Sequence, residues 1–317
     1  MFDILGNALG IRENGGATMS TGQTAATRVV THVSARQPFD FDHGLAFLSR
    51  FRATAGEQGM AAGVLSCAVR ADGVLAGARI RAEGEGLRYE LESAEPLLPE
   101  VVAAISDRLS FFLGVEDDVA AFYALAEDDP PFLEVIQRLY GYHQVKFPSP
   151  LELLVWSILS QRVALPVALK MKHAIVAHFG NLVVLGREDL AAFPELDQLL
   201  TLEVDDLERL ITNRRKAGYL HGALRGWAKL GEGFLRRGDH EAVRGQLLGL
   251  PGIGPWSAAF LMIRGLGRME RLEPDRESTR AASKVYGHPV SDEEFVELAS
   301  RYGPWKGYWS HYLRAGG

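Results

Sequence analysis

Cysteine is nearly absent: Cys67 is the only one among 317 residues. A single thiol excludes an internal disulfide and any iron–sulfur or zinc centre that draws several thiolates from one chain. No stretch approaches the roughly 20 uninterrupted apolar residues of a membrane span, and no basic segment followed by an apolar core opens the sequence. The expectation is a cytoplasmic protein with no membrane attachment. A surplus of positive charge is also missing. The net charge of -6 argues at first against nucleic acid, because phosphate is bound by Lys and Arg. The average conceals a division: residues 1–150 carry 12 Lys+Arg against 20 Asp+Glu, and residues 151–317 carry 22 against 20. The acidity lies N-terminal, and the second half is close to neutral, with a basic run at Arg214, Arg215 and Lys216.

What is present is enough apolar residue, 47%, to bury a sizeable core in about two domains. Residues 1–27 are rich in Gly, Ser, Thr and Ala without periodicity, which predicts a disordered arm, with Met19 an alternative start. From Val29 the pattern is mixed. Arg28 to Val33, Gly63 to Val69, Val74 to Ala82 and Gly86 to Leu91 read as strands, and Asp42 to Thr54 and Pro99 to Phe112 as helices. Residues 28–117 therefore predict a small α+β domain on an antiparallel sheet. Beyond Asp117 the apolar spacing of three and four, clearest in Ser149 to Phe179 and Leu207 to Leu230, predicts a larger all-α domain over 118–317.

The most informative segment is Leu247-Leu248-Gly249-Leu250-Pro251-Gly252-Ile253-Gly254-Pro255-Trp256, between two helical runs. Gly252 and Gly254 permit positive φ and close backbone approach, Ile253 anchors the turn, and Pro255 suits the first turn of the next helix. Free N–H groups at that helix start, aided by the helix dipole, form an anion site that needs little net charge. It would grip a DNA phosphate without reading sequence. A lone Gly-x-Gly is usually just a tight turn. Here Leu250 before the turn, and the small face of Ser257, Ala258 and Ala259 after it, favour the phosphate-binding form.

With these residues in place the chain resembles the DNA-3-methyladenine glycosylase II family of the helix-hairpin-helix DNA glycosylases. Pro304-Trp305-Lys306-Gly307-Tyr308 is similar to that family's C-terminal segment, Leu154 to Arg162 to the helix that ends in its wedge, and Asn213 to Ala217 to the start of a further helix. The resemblance implies an α+β fold closed by an all-α helix-hairpin-helix domain. It also implies a monomer that binds double-stranded DNA carrying alkylated bases, flips the damaged base out and hydrolyses its N-glycosidic bond. Gln161 and Arg162 then mark the wedge, Arg162 being equally readable as a solvent-facing helix end. Trp256 and Phe260, one turn apart, are the candidate base-stacking pair, where core packing is the plainer alternative. No cofactor is required. The backbone carbonyls of Leu248, Leu250 and Gly252 are implied to hold a monovalent cation.

The chemistry needs a carboxylate beside the sugar. Counting forward from Pro251 without gaps, the family's Asp position falls on Arg276, which cannot serve. Counting back from Val285-Tyr286-Gly287 places Asp275 there instead, and a one-residue deletion between Gly265 and Glu273 reconciles the two. Asp275 is thus the expected catalytic residue, or merely an N-cap beside Pro274. A lyase would need an amine nucleophile, and residues 255–275 contain no Lys. The alternatives are a catalytically silent lesion-binding protein of the same fold, and a scaffold for protein partners.

Overall fold

The structure is a computed structural model that describes residues 27–316 apart from residue 55. Residues 1–26, and with them the expected arm and Met19, lie outside the described residues.

The chain opens with β1 (Thr27–Ser34) and α1 (Phe41–Leu48), the latter capped by Asp40, whose carboxylate accepts from the N–H of Asp42. A meander follows: β2 (Gln58–Ala61), β3 (Val64–Ala71), β4 (Val74–Glu83) and β5 (Gly86–Ser93). The five strands form one antiparallel sheet in the order β1-β5-β4-β3-β2, with Val29 opposite Leu91 and Leu65 opposite Ile80. Alternation along β5, whose Leu87, Tyr89 and Leu91 are buried, fixes which face is covered. That face packs on α2 (Pro99–Leu113), which ends on the left-handed Gly114. Tyr89 and Ser110 share a buried hydrogen bond of 3.1 Å between them.

Helices dominate from here, in the order α3 (Val119–Ala124), α4 (Pro130–Arg138), α5 (Pro150–Leu159) and α6 (Leu165–Phe179). The all-α expectation fails at one place. Residues 182–191 form a hairpin, β6 (Leu182–Leu185) and β7 (Glu188–Ala191), turned by Gly186 at φ +69°. Buried Leu185 occupies the space a Gly77 side chain would fill, so the hairpin docks on β4. Strand β2 was equally invisible to periodicity. Then come α7 (Leu196–Leu199), α8 (Val204–Ile211), α9 (Arg214–Trp227), α10 (Glu232–Arg237), α11 (His240–Leu248), α12 (Pro255–Phe260), α13 (Arg276–Tyr286), α14 (Asp292–Ser300) and α15 (Lys306–Gly316).

Packing does not follow the division expected at residue 117. One core joins the sheet and α2 to Val119, Phe122, Phe132 and Val135, and also to Phe295, Tyr302, Trp309 and Leu313 near the other end. The second core is drawn from residues 147–266 with Ala53 added. The reason is aromatic complementarity: α15 carries Tyr308, Trp309 and Tyr312, which fill the space around Phe122 and Phe132.

Across the two cores runs a buried ion cluster. The ammonium of Lys172 on α6 donates to Glu152 of α5 at 2.6 Å, to Glu57 at 2.8 Å and to the Ala53 carbonyl at 3.2 Å. Both Lys172 and Glu152 are buried. Removing the cation strands two carboxylates away from water, which costs far more than the net worth of the intact cluster. Lys172→Met is expected to lower unfolding free energy by about 3–5 kcal/mol in urea titrations; a loss within about 1 kcal/mol would show that the carboxylates regain water at no cost to the fold.

Candidate functional site

The hairpin is built between α11, which ends at Leu248, and α12, which begins at Pro255. Leu250 and Ile253 are buried, and the N–H of Ile253 donates to the Leu250 carbonyl at 3.1 Å. Gly252 sits at φ +81°, and a Cβ there would come within 2.9 Å of Tyr219 Cβ, so both conformation and space require glycine. The N–H groups of Gly252 and Gly254 meet no acceptor among the described residues. The turn rests on α9, where a Cβ at Gly226 would fall 2.5 Å from the Leu250 side chain and one at Gly222 would fall 2.9 Å from Pro251. Two glycines one turn apart thus make the groove that seats the hairpin.

Gln161, expected at the wedge, has a different task. Its amide donates to the Gly252 carbonyl at 2.7 Å and to the Ser157 carbonyl at 2.9 Å. A carboxamide with its donors so committed braces the hairpin from α5 and is not the group that projects from it. Arg162 does project: it is exposed and left-handed, φ +53°, at the turn between α5 and α6. A non-glycine residue there costs about 1–2 kcal/mol, and what holds it is Lys216. That ammonium is buried and donates to the carbonyls of Leu159 and Gln161, tying α9 to the end of α5. The basic run of 214–216 is therefore not a free phosphate patch. Arg214 pairs with Asp205 and Glu208, and Arg215 lies over the Tyr219 ring and donates to its hydroxyl.

Trp256 leaves the hairpin 59% exposed and stacks on Phe260, ring centroids 5.1 Å apart at 26°. Phe260 meets Phe147 edge-on and lines a cavity of about 380 Å³ that opens where the two cores meet. Its other walls come from Phe47 and Arg50 of α1, Phe51, Tyr142, Arg264, and His311 and Arg314 of α15. The π-helical turn Leu261–Gly265, a distortion found often at functional sites, continues α12 and buries Arg264. That guanidinium lies over the rings of Phe47 and Phe51, 4.9 and 5.1 Å from their centroids. Burial lowers Arg264 to about 10, with Tyr142 pulling it back up and Arg314 adding to the fall. Burial likewise holds His311 well below the usual histidine range, reinforced by Arg264 and Arg314, while its Nε2 meets the Tyr142 hydroxyl at 2.9 Å.

Asp275 is the N-cap of α13. One carboxylate oxygen accepts from the N–H groups of Glu277 and Ser278, both at 2.9 Å, and the other accepts from the Ser278 hydroxyl at 3.0 Å. Its orientation is fixed and it is half-buried. It does not line the Phe260 cavity, whose walls hold no carboxylate. Sequence reasoning reached Trp256, Phe260 and the hairpin but missed Phe47, Phe51, Arg264, His311 and Arg314. Only Arg264 left a local signal, a charge inside the apolar run Phe260 to Gly265.

No protein-family model matches the chain. It is 25% identical over 205 residues to the DNA-3-methyladenine glycosylase of Bacillus subtilis, an overlap of 63% of this chain and 67% of that protein. It is 26% identical over 202 residues to the probable bifunctional transcriptional activator/DNA repair enzyme AlkA of Mycobacterium tuberculosis, of whose length it spans 40%. Among solved structures it is similar to a 3-methyladenine DNA-glycosylase from Archaeoglobus fulgidus, with a TM-score of 0.71 and 22% identity over 90% of this chain and 97% of the other. An 8-oxoguanine glycosylase/lyase from Clostridium acetobutylicum, solved with double-stranded DNA, gives a TM-score of 0.64 at 16% identity over 90% of this chain and 96% of that one.

The neutral His311 carries a pH signature. Below the unfolded value near 6.5 the unfolded chain takes up a proton that the folded chain excludes, so stability falls as pH drops. The slope from this one group reaches about 1.4 kcal/mol per pH unit. Urea titrations between pH 7 and about 5 are expected to lose stability faster in the wild type than in His311→Gln; parallel curves would mean that His311 protonates in place.

Proposed function

We propose that this chain, folded as the helix-hairpin-helix DNA glycosylases are and related in sequence to a DNA-3-methyladenine glycosylase, is a DNA glycosylase of base excision repair. It takes duplex DNA, turns a damaged base out of the stack and hydrolyses its N-glycosidic bond. Damaged bases of the alkylated kind are the substrate class that the relatives' names suggest. One observation carries the reading: the hairpin's unpartnered N–H groups, the exposed Trp256 and the cavity behind Phe260 lie along one continuous surface from α11 to the π turn.

Each part has a physical task. The N–H groups of Gly252 and Gly254, at the start of the helical stretch running from Pro255 to Gly265, bind a backbone phosphate through hydrogen bonds and the helix dipole. This works despite the net charge of -6. Arg162, presented by a strained backbone, fills the gap left by the extruded nucleotide. Trp256 and Phe260 offer the base an aromatic ladder into the cavity. The Asp275 carboxylate, immobilised by three hydrogen bonds, stabilises positive charge developing on the deoxyribose or orients the attacking water. With no Lys between residues 255 and 275, the enzyme acts by hydrolysis and not through a covalent amine. The carbonyls of Leu250 and Gly252 each accept one hydrogen bond already and keep a second lone pair. With the Leu248 carbonyl they suit a monovalent cation, which would supply fixed positive charge toward the phosphate.

A second reading has an observation of its own. Because the Phe260 cavity holds no carboxylate, the protein could bind lesions without cutting. Release of bases from methylated duplexes, alongside duplex binding, separates the two. Asp275→Asn keeps a good N-cap and is expected to lose release by about a hundredfold or more with binding unchanged. Binding without release by the wild type would leave the lesion-binding protein instead. Gly252→Ala, which faces both a left-handed backbone and Tyr219, is expected to weaken duplex binding about tenfold at every sequence tested; a loss confined to certain sequences would remove the hairpin from the phosphate-binding role.

A further inference from the structure

Resting on that reading, we propose that the cavity behind Phe260 selects uncharged, acceptor-rich bases, keto purines above all, and rejects cationic methylated ones, with Arg264 as the residue that specifies the choice. Arg264 is only 4% exposed, yet its Nε and Nη2 meet no hydrogen-bond acceptor. Its Nη1 has a single long contact, 3.4 Å to His311 Nδ1. The rings of Phe47 and Phe51 attract the cation but offer no lone pair in return. Buried donors left bare are costly unless something arrives to fill them. No carboxylate does so, since Arg264 forms no ion pair among the described residues and the cavity walls contain neither Asp nor Glu. What lines the cavity besides is Arg50 and Arg314, both cationic, and His43, with His311 held neutral.

A keto purine answers this arrangement. Its N7 and O6 are adjacent acceptors that a guanidinium edge can meet as a pair, and its ring is uncharged. The space of about 380 Å³, at the lower end of the roughly 300–1,000 Å³ typical of small-molecule sites, suits one base. A base methylated on a ring nitrogen so that it carries positive charge brings that charge into a low-dielectric site already holding a buried cation and two more at its rim, where like charges discriminate strongly. The aromatic rungs of Trp256 and Phe260 serve both kinds of base. The discrimination sits in Arg264.

The experiment measures single-turnover release from duplexes with one hypoxanthine and from duplexes with one 7-methylguanine, by the full-length wild type and by Arg264→Met. The methionine removes a cation without a partner and keeps most of the apolar stem, so the fold is retained, which thermal melting checks. The wild type is expected to release hypoxanthine at least about tenfold faster, and Arg264→Met is expected to reverse that ratio. Equal or faster release of 7-methylguanine by the wild type, or a ratio unmoved in Arg264→Met, would overturn the proposal. A second measurement separates this from the glycosylase reading. If neither duplex loses its base, binding of free hypoxanthine and free 3-methyladenine to the complex with an abasic duplex decides: tighter hypoxanthine binding that Arg264→Met abolishes upholds the selectivity without the catalysis, and equal binding refutes it.

Discussion

The hydrogen bond from the Gln161 amide to the Gly252 carbonyl, 2.7 Å long, is the joint on which the functional surface depends. It links the end of α5 to the turn between α11 and α12, two places 91 residues apart in the chain. Lys216 secures the near side by holding the carbonyls of Leu159 and Gln161. On the far side, Gly222 and Gly226 admit Pro251 and Leu250. Arg162, the hairpin and Trp256 therefore keep one mutual geometry, as a site needs if its parts are to meet a duplex together.

A second constraint is the meeting of two cores at the Phe260 cavity. Its walls are supplied by α1, by the π turn after α12 and by α15, elements whose positions are set by different apolar clusters. Neither core covers the space by itself, which is why polar and charged groups such as Arg264 and His311 can be buried there. The hairpin handles DNA without regard to sequence, and chemistry that distinguishes one base from another resides in this seam.

Local patterns carried much of the fold. Period-two alternation located β1, β3, β4 and β5, and Pro at the first turn with glycine after the last placed α2. Pro-Gly-Ile-Gly announced the hairpin because its chemistry is contained in four consecutive residues. The hairpin of β6 and β7 escaped because strands of four residues have too short a period to register, and its stability comes from Leu185 docking on Gly77. The basic run at 214–216 misled for a similar reason: whether a cation faces solvent or caps a carbonyl depends on elements distant in sequence. Asp275 could be read as an N-cap from Pro274-Asp275, and it is one. The cavity could not be read at all, since Phe47 and Arg264 lie more than two hundred positions apart and meet only through the tertiary fold.

The distribution of the two cores also bears on how the chain assembles. The core drawn from residues 147–266 is almost continuous in sequence, so its contacts close short loops and form at little entropic cost. The other core waits for α15: Trp309 and Tyr312 must return to Phe122 and Phe132 across more than 170 positions. During synthesis the helical middle can settle while the sheet and its neighbours still lack their closing wall, leaving Phe122, Phe132 and Tyr142 open to solvent until the last helix emerges. The α15 segment that completes this core also brings His311 and Arg314 to the cavity, so the molecule gains its final structural wall and its binding pocket in the same event.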